Sequence, residues 1–67
     1  MIVIQKFPSV AALAGWLRNV KLRKGPHDFS EWLLKYTRNR ELTVNGRLYL
    51  YHDCINLLRM EDLQNAG

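Results

Sequence analysis

Sixty-seven residues and 7.9 kDa make one domain at most, because a chain this short buries only about 60 % of the surface it exposes when unfolded. An apolar share of 48 %, with two Trp, two Phe and three Tyr, argues against disorder, and a single Cys excludes an intrachain disulfide and points to a reducing, cytoplasmic compartment. The net charge of +4 is unevenly spread: residues 18–47 carry eight basic against three acidic side chains, whereas residues 48–67 carry one against three.

The opening Met1-Ile2-Val3-Ile4 stops at Gln5-Lys6, short of the apolar stretch of about 7–15 residues in a signal peptide, and no run approaches the roughly 20 residues that span a bilayer. A membrane partner is not expected. Ile2-Val3-Ile4 is β-branched and reads as a short strand. From Ser9, a suitable N-cap, Val10, Leu13, Ala14 and Leu17 recur at i, i+3, i+4 and i+7, which predicts a first helix of about nine residues. Asn19 to Pro26, with Lys21, Arg23 and Lys24 ahead of Gly25-Pro26, reads as a basic loop.

Asp28-Phe29-Ser30-Glu31 has capping-box spacing and predicts a second helix from Asp28 to about Asn39. Its apolar side is Phe29, Trp32, Leu33 and Tyr36, and Glu31, Lys35 and Arg38 line the other face. The helical spacing of Trp16, Phe29, Trp32 and Tyr36 favours a core stripe over a base-stacking platform.

Leu42-Thr43-Val44, Asn45-Gly46 and Arg47-Leu48-Tyr49-Leu50-Tyr51 read as strand, turn and strand, because Asn-Gly accepts the positive φ of a type I′ turn. Two registers are open. A two-residue turn sets Leu42 opposite Tyr49, while a three-residue loop with a Gly46 bulge puts Leu42, Leu48 and Leu50 on one face and is the better packed expectation. Asp53 can cap a last helix with Cys54, Ile55, Leu57, Leu58 and Leu63 on its apolar side, fraying over residues 65–67.

Chemistry-bearing clusters are sparse. His27-Asp28 and His52-Asp53-Cys54 supply two His and one Cys, too few for the three or four ligands of a zinc site, and both Asp residues have work as helix caps. Cys54, on an apolar helix face, reads as a small core residue. With no glycine-rich phosphate loop either, neither catalytic residues, metal ligands nor a cofactor are expected, and the chain reads as a non-enzyme.

Basic residues on loops and helix faces are commonly just solvated. Here they concentrate on the loop, the outer face of the second helix and the hairpin tip, three places that can share one side of a small domain. Strand, helix, turn, helix and a hairpin with a basic tip is the order of a small α+β winged helix-turn-helix domain, followed here by a C-terminal helix, over residues 1–67.

Asn45-Gly46-Arg47-Leu48-Tyr49-Leu50-Tyr51-His52-Asp53-Cys54, followed by a short leucine-bearing helix, resembles the wing and final segment of small phage and prophage excisionases and their AlpA-like relatives. The resemblance covers roughly residues 28–63 and is strongest over 45–54. It implies a nucleoid-associated protein that binds adjacent sites on duplex DNA with self-association, bends the DNA and steers a recombinase or integrase, or regulates transcription. Arg47 would be the wing contact, and Ser30, Glu31, Lys35 and Arg38 the exposed face of the groove helix. Lys21, Arg23, Lys24 and Arg40 complete the expected DNA-binding set. The competing expectation is a phage-type protein that inhibits a host protein, with Tyr49, Tyr51, Trp16 and Trp32 as aromatic anchors.

Overall fold

The computed structural model describes residues 2–65, so the expected fraying at Ala66 and Gly67 lies outside the described residues. Strand β1 (Val3–Phe7) leads into helix α1 (Val10–Lys24), and α1 into α2 (Pro26–Asn39). Strands β2 (Arg40–Val44) and β3 (Arg47–Tyr49) form the hairpin, and α3 (Tyr51–Asn65) closes the order. The result is a small α+β domain with a winged-helix-like arrangement, in which two helices run directly into a β-hairpin.

Helix α1 starts as its sequence predicts, with the Ser9 hydroxyl accepting from the Ala12 amide at 3.1 Å. It does not stop near Leu17. The expected basic loop is helical through Lys24, because Val20 continues the buried stripe of Leu13, Ala14 and Leu17, and Lys21, Leu22, Arg23 and Lys24 are good helix formers. Cations in the last turn also complement the negative end of the helix dipole.

One residue makes the turn. Gly25 has φ 87° and ψ 156°, a region essentially reserved for glycine. Its N–H donates to the Lys21 carbonyl and its own carbonyl accepts from the Phe29 amide, each at 2.9 Å, so it ends α1 and begins α2 at once. Pro26, whose missing N–H costs nothing at a first helical position, replaces the predicted Asp28 cap; Asp28 sits inside the first turn, where its charge favours the helix N-terminus.

The hairpin resolves the register in favour of the two-residue turn. Asn45 at φ 52° and Gly46 at φ 82° form the type I′ geometry, which pairs Val44 with Arg47, Thr43 with Leu48 and Leu42 with Tyr49. The expected bulge is overturned, because that turn twists with its strands and leaves no residue to insert. Leu42, Val44 and Tyr49 consequently enter the core, while Leu48 and Leu50 are exposed. Strand β1 pairs in parallel with the other edge of β2, giving the order β1-β2-β3 and aligning Gln5 with Leu42 and Phe7 with Val44 on the inner face.

Helix α3 is entered through Leu50, whose amide donates to Asp53 Oδ2 at 3.0 Å. Asp53 therefore caps the helix from its third position rather than standing ahead of it. Cys54 and Leu58 are buried, but Leu63 is 70 % exposed, because the stripe continues from Leu58 at i+3 to Glu61 and leaves Leu63 turned away. Glu61 instead pairs with Arg18 across to α1. One core cluster joins all these elements, built on Leu13, Leu17, Phe29, Leu33, Leu42 and Cys54.

Candidate nucleic-acid interface

Helix α2 has a buried and an exposed side. Phe29 and Leu33 face the core, and half a turn away Asp28, Glu31, Lys35 and Arg38 share the solvent-exposed face, acids in the N-terminal half and bases in the C-terminal half. Glu31 and Lys35 do not close into an ion pair: among the described residues the ion pair is that of Arg18 with Glu61. Lys35 and Arg38 thus present unneutralised charge to solvent.

Ser30 is not on this face. It is half-buried and lines a groove of about 270 Å³ where α1, α2 and α3 meet, together with Lys21, Arg59 and Asp62 over Phe29 and Leu58. Its position one residue after Phe29 rotates it about 100° towards α3, which a capping-box reading could not reveal.

Arg47 occupies the hairpin tip and is exposed, as expected of a wing residue. Its guanidinium lies 5.1 Å from the Tyr49 ring centroid, above a shallow groove with Asp53, Asn56, Leu57 and Met60. That groove belongs to α3 and β3, and neither Lys35 nor Arg38 lines it. Arg40 caps α2 and is held by Tyr36, with its guanidinium 4.9 Å from the ring and Nη1 donating to the Tyr36 hydroxyl at 3.3 Å. Tyr36 in turn donates to Gln5 Oε1 at 2.6 Å, tying α2 to β1.

The end of α1 gathers more than cations. Arg23 and Lys24 edge a groove of about 420 Å³ floored by Val20, Trp16 and Trp32, with Lys24 Nζ 5.6 Å from the Trp32 ring centroid. Phe29 is core as expected, but Trp16, Trp32 and Tyr36 are only half-buried, packed on the core from outside. Their rings run on from one another: Trp16 to Trp32 at 5.8 Å, Trp32 to Tyr36 at 4.6 Å, Trp16 to Tyr36 at 5.6 Å and Phe7 to Trp16 at 5.4 Å. The signal was present as Trp32, Tyr36 and Arg40 at i, i+4 and i+8, yet the same spacing describes a core stripe.

Tyr49, one of the expected aromatic anchors, is 7 % exposed and part of the core, so it offers no free surface to a partner. Cys54 is buried, and its burial, with the Asp53 carboxylate adding to it, pushes the thiol up to about 11, which keeps it protonated and unreactive near neutrality. Among the described residues no three His, Cys, Asp or Glu gather to hold a metal ion, and no helix is long and apolar enough to cross a membrane. Compared with protein-family models, with curated proteins and with solved structures, the chain matches none of them.

Proposed function

We propose that this chain is a duplex DNA-binding module with an architectural or regulatory role, as the likeness of its wing segment to phage excisionases and AlpA-like regulators implies. The observation that carries the reading is the exposed face of α2, where Lys35 and Arg38 stand unpaired on a helix that runs without a linker into a hairpin tipped by Arg47. An α-helix fits the major groove, and a helix of 14 residues, about 21 Å long, spans it with both ends near phosphates. Lys35 and Arg38 reach guanine edges or the backbone; Glu31, nearer the N-terminus, suits a cytosine amine. Arg47, apart from them, meets sugar-phosphate or a neighbouring minor groove, and Lys21, Arg23 and Lys24 add charge at the far end of α1. Self-association on adjacent sites and a partner recombinase belong to the same proposal.

The test is a mobility-shift titration on mixed-sequence duplex DNA. With four or five phosphates neutralised, log affinity should fall against log salt with a slope of roughly −4. No shift at micromolar protein in low salt, or a slope near zero, rejects the proposal.

A further inference from the structure

We infer that the groove between α1 and α2 binds single-stranded DNA, with one unpaired base stacked on Trp32 and the flanking phosphates held by Arg23, Lys24 and Arg40. The inference rests on the proposal that the chain binds nucleic acid, and it assigns a second surface, on the flank of α2 rather than its outer face.

Three observations converge on that ligand. The groove exposes indole surface from two helices at once, and its aromatic tract continues from Trp32 through Tyr36. A cation stands over each end of that tract, Lys24 on Trp32 and Arg40 on Tyr36. The groove lining holds two cations and no acid; Asp28, one helical turn before Trp32, is exposed and borders the neighbouring hollow around Gly25 and His27, which shares Lys24, and Glu31 is exposed on the outer face of α2. Its volume of about 420 Å³ lies at the lower end of the roughly 300–1,000 Å³ of small-molecule sites, suited to one base and its sugar rather than to a folded partner.

The chemistry then separates the occupants. Duplex DNA offers phosphates but keeps its base faces inside the stack, and an acidic peptide satisfies the cations but leaves the indoles uncovered. An unpaired nucleotide brings a π-face and a phosphate together, and stacking on an aromatic ring is stronger than the exposed contact of a lysine with that ring. The base therefore displaces the Lys24 ammonium from Trp32, and the freed side chain turns to the adjoining phosphate.

Both tryptophans of the chain line this groove, so their fluorescence reports on it directly. Titration with short oligo(dT) should quench the emission, with a salt slope of roughly −2 for three phosphates on a single strand. Trp32→Leu should weaken oligo(dT) binding by about fivefold to a hundredfold. Because Trp32 packs on the core, the doubly substituted Arg23→Ala/Lys24→Ala variant carries the test at exposed positions: it should stay folded, the helix propensity of alanine offsetting much of the lost end-of-helix charge, and bind oligo(dT) at least about fivefold more weakly. Lys35→Ala/Arg38→Ala should leave oligo(dT) binding in place. Duplex binding without oligo(dT) quenching overturns this inference alone; loss of both overturns the DNA proposal as well. Equal quenching by poly-glutamate would make the groove an acidic-peptide site and likewise overturn the inference.

Discussion

Replacing Gly25 by Ala and Gly15 by Ala are the same chemical change with opposite expected signs. Beyond its chain neighbours and, for Gly15, the backbone of its own helix turns, neither glycine has an atom within 4 Å of where the new methyl would stand, so side-chain sterics do not decide the outcome. Backbone does. Gly25, at φ 87° and ψ 156°, would hold an alanine in a region that costs about 1–3 kcal/mol, offset by about 0.4–1 kcal/mol from the stiffer unfolded chain. At the midpoints of those ranges the net loss is about 1.3 kcal/mol, which should lower Tm by roughly 5–10 °C in a domain of this size. Gly15 lies in the interior of α1, where alanine gains about 0.5–1 kcal/mol and should raise Tm by roughly 2–8 °C. Thermal melts followed by circular dichroism measure both. If Gly25→Ala melts at or above the parent, α1 and α2 are not joined through a glycine-only turn; if both variants move in the same direction, the backbone argument fails.

Gly46→Val should cost at least about 1 kcal/mol in urea unfolding, because Gly46 at φ 82° completes the type I′ turn and a β-branched residue resists that region; an unchanged midpoint would refute the turn. The Cys54 thiol stays protonated in the folded protein up to about 11, whereas its ordinary value is 9.0, so folding favours the protonated form and stability is lost as pH rises from about 9 to about 11. Urea midpoints across that range should therefore fall more steeply for the parent than for Cys54→Ala, and parallel curves would show that the thiol does not contribute. Arg47→Ala should weaken all duplex sequences alike and flatten the salt slope by about one, whereas Lys35→Ala or Arg38→Ala should remove about 1–3 kcal/mol of discrimination between a preferred site and random DNA. Competition binding distinguishes the two patterns, and no effect from any of the three would mean that these cations are only solvated.

Local chemistry was legible in the residues themselves. The Ser9 cap, the positive φ at Asn45-Gly46, the stop imposed by Gly25-Pro26 and the buried character of Cys54 each depend on a few neighbouring atoms, and the α+β order of elements follows from them. Tertiary packing decided the rest. Residues 19–24 had cations enough to be a loop, and burial of Val20 against the core tips them to helix, where the propensity of Lys21 to Lys24 supports it. Strand β3 is apolar on both faces, so its pattern could not choose between Leu48 and Tyr49; the pairing with Leu42 and the helix laid over it made the choice. Ser30 and Leu63 missed their expected faces because helical rotation, at about 100° per residue, turns a near neighbour of a core residue elsewhere. The aromatic stripe was visible as periodicity, but how deeply each ring sinks depends on what packs above it: Phe29 is enclosed, whereas Trp16, Trp32 and Tyr36 lie along an open seam with Lys24 and Arg40 at its ends, an arrangement set by the crossing of two helices and not by either helix alone.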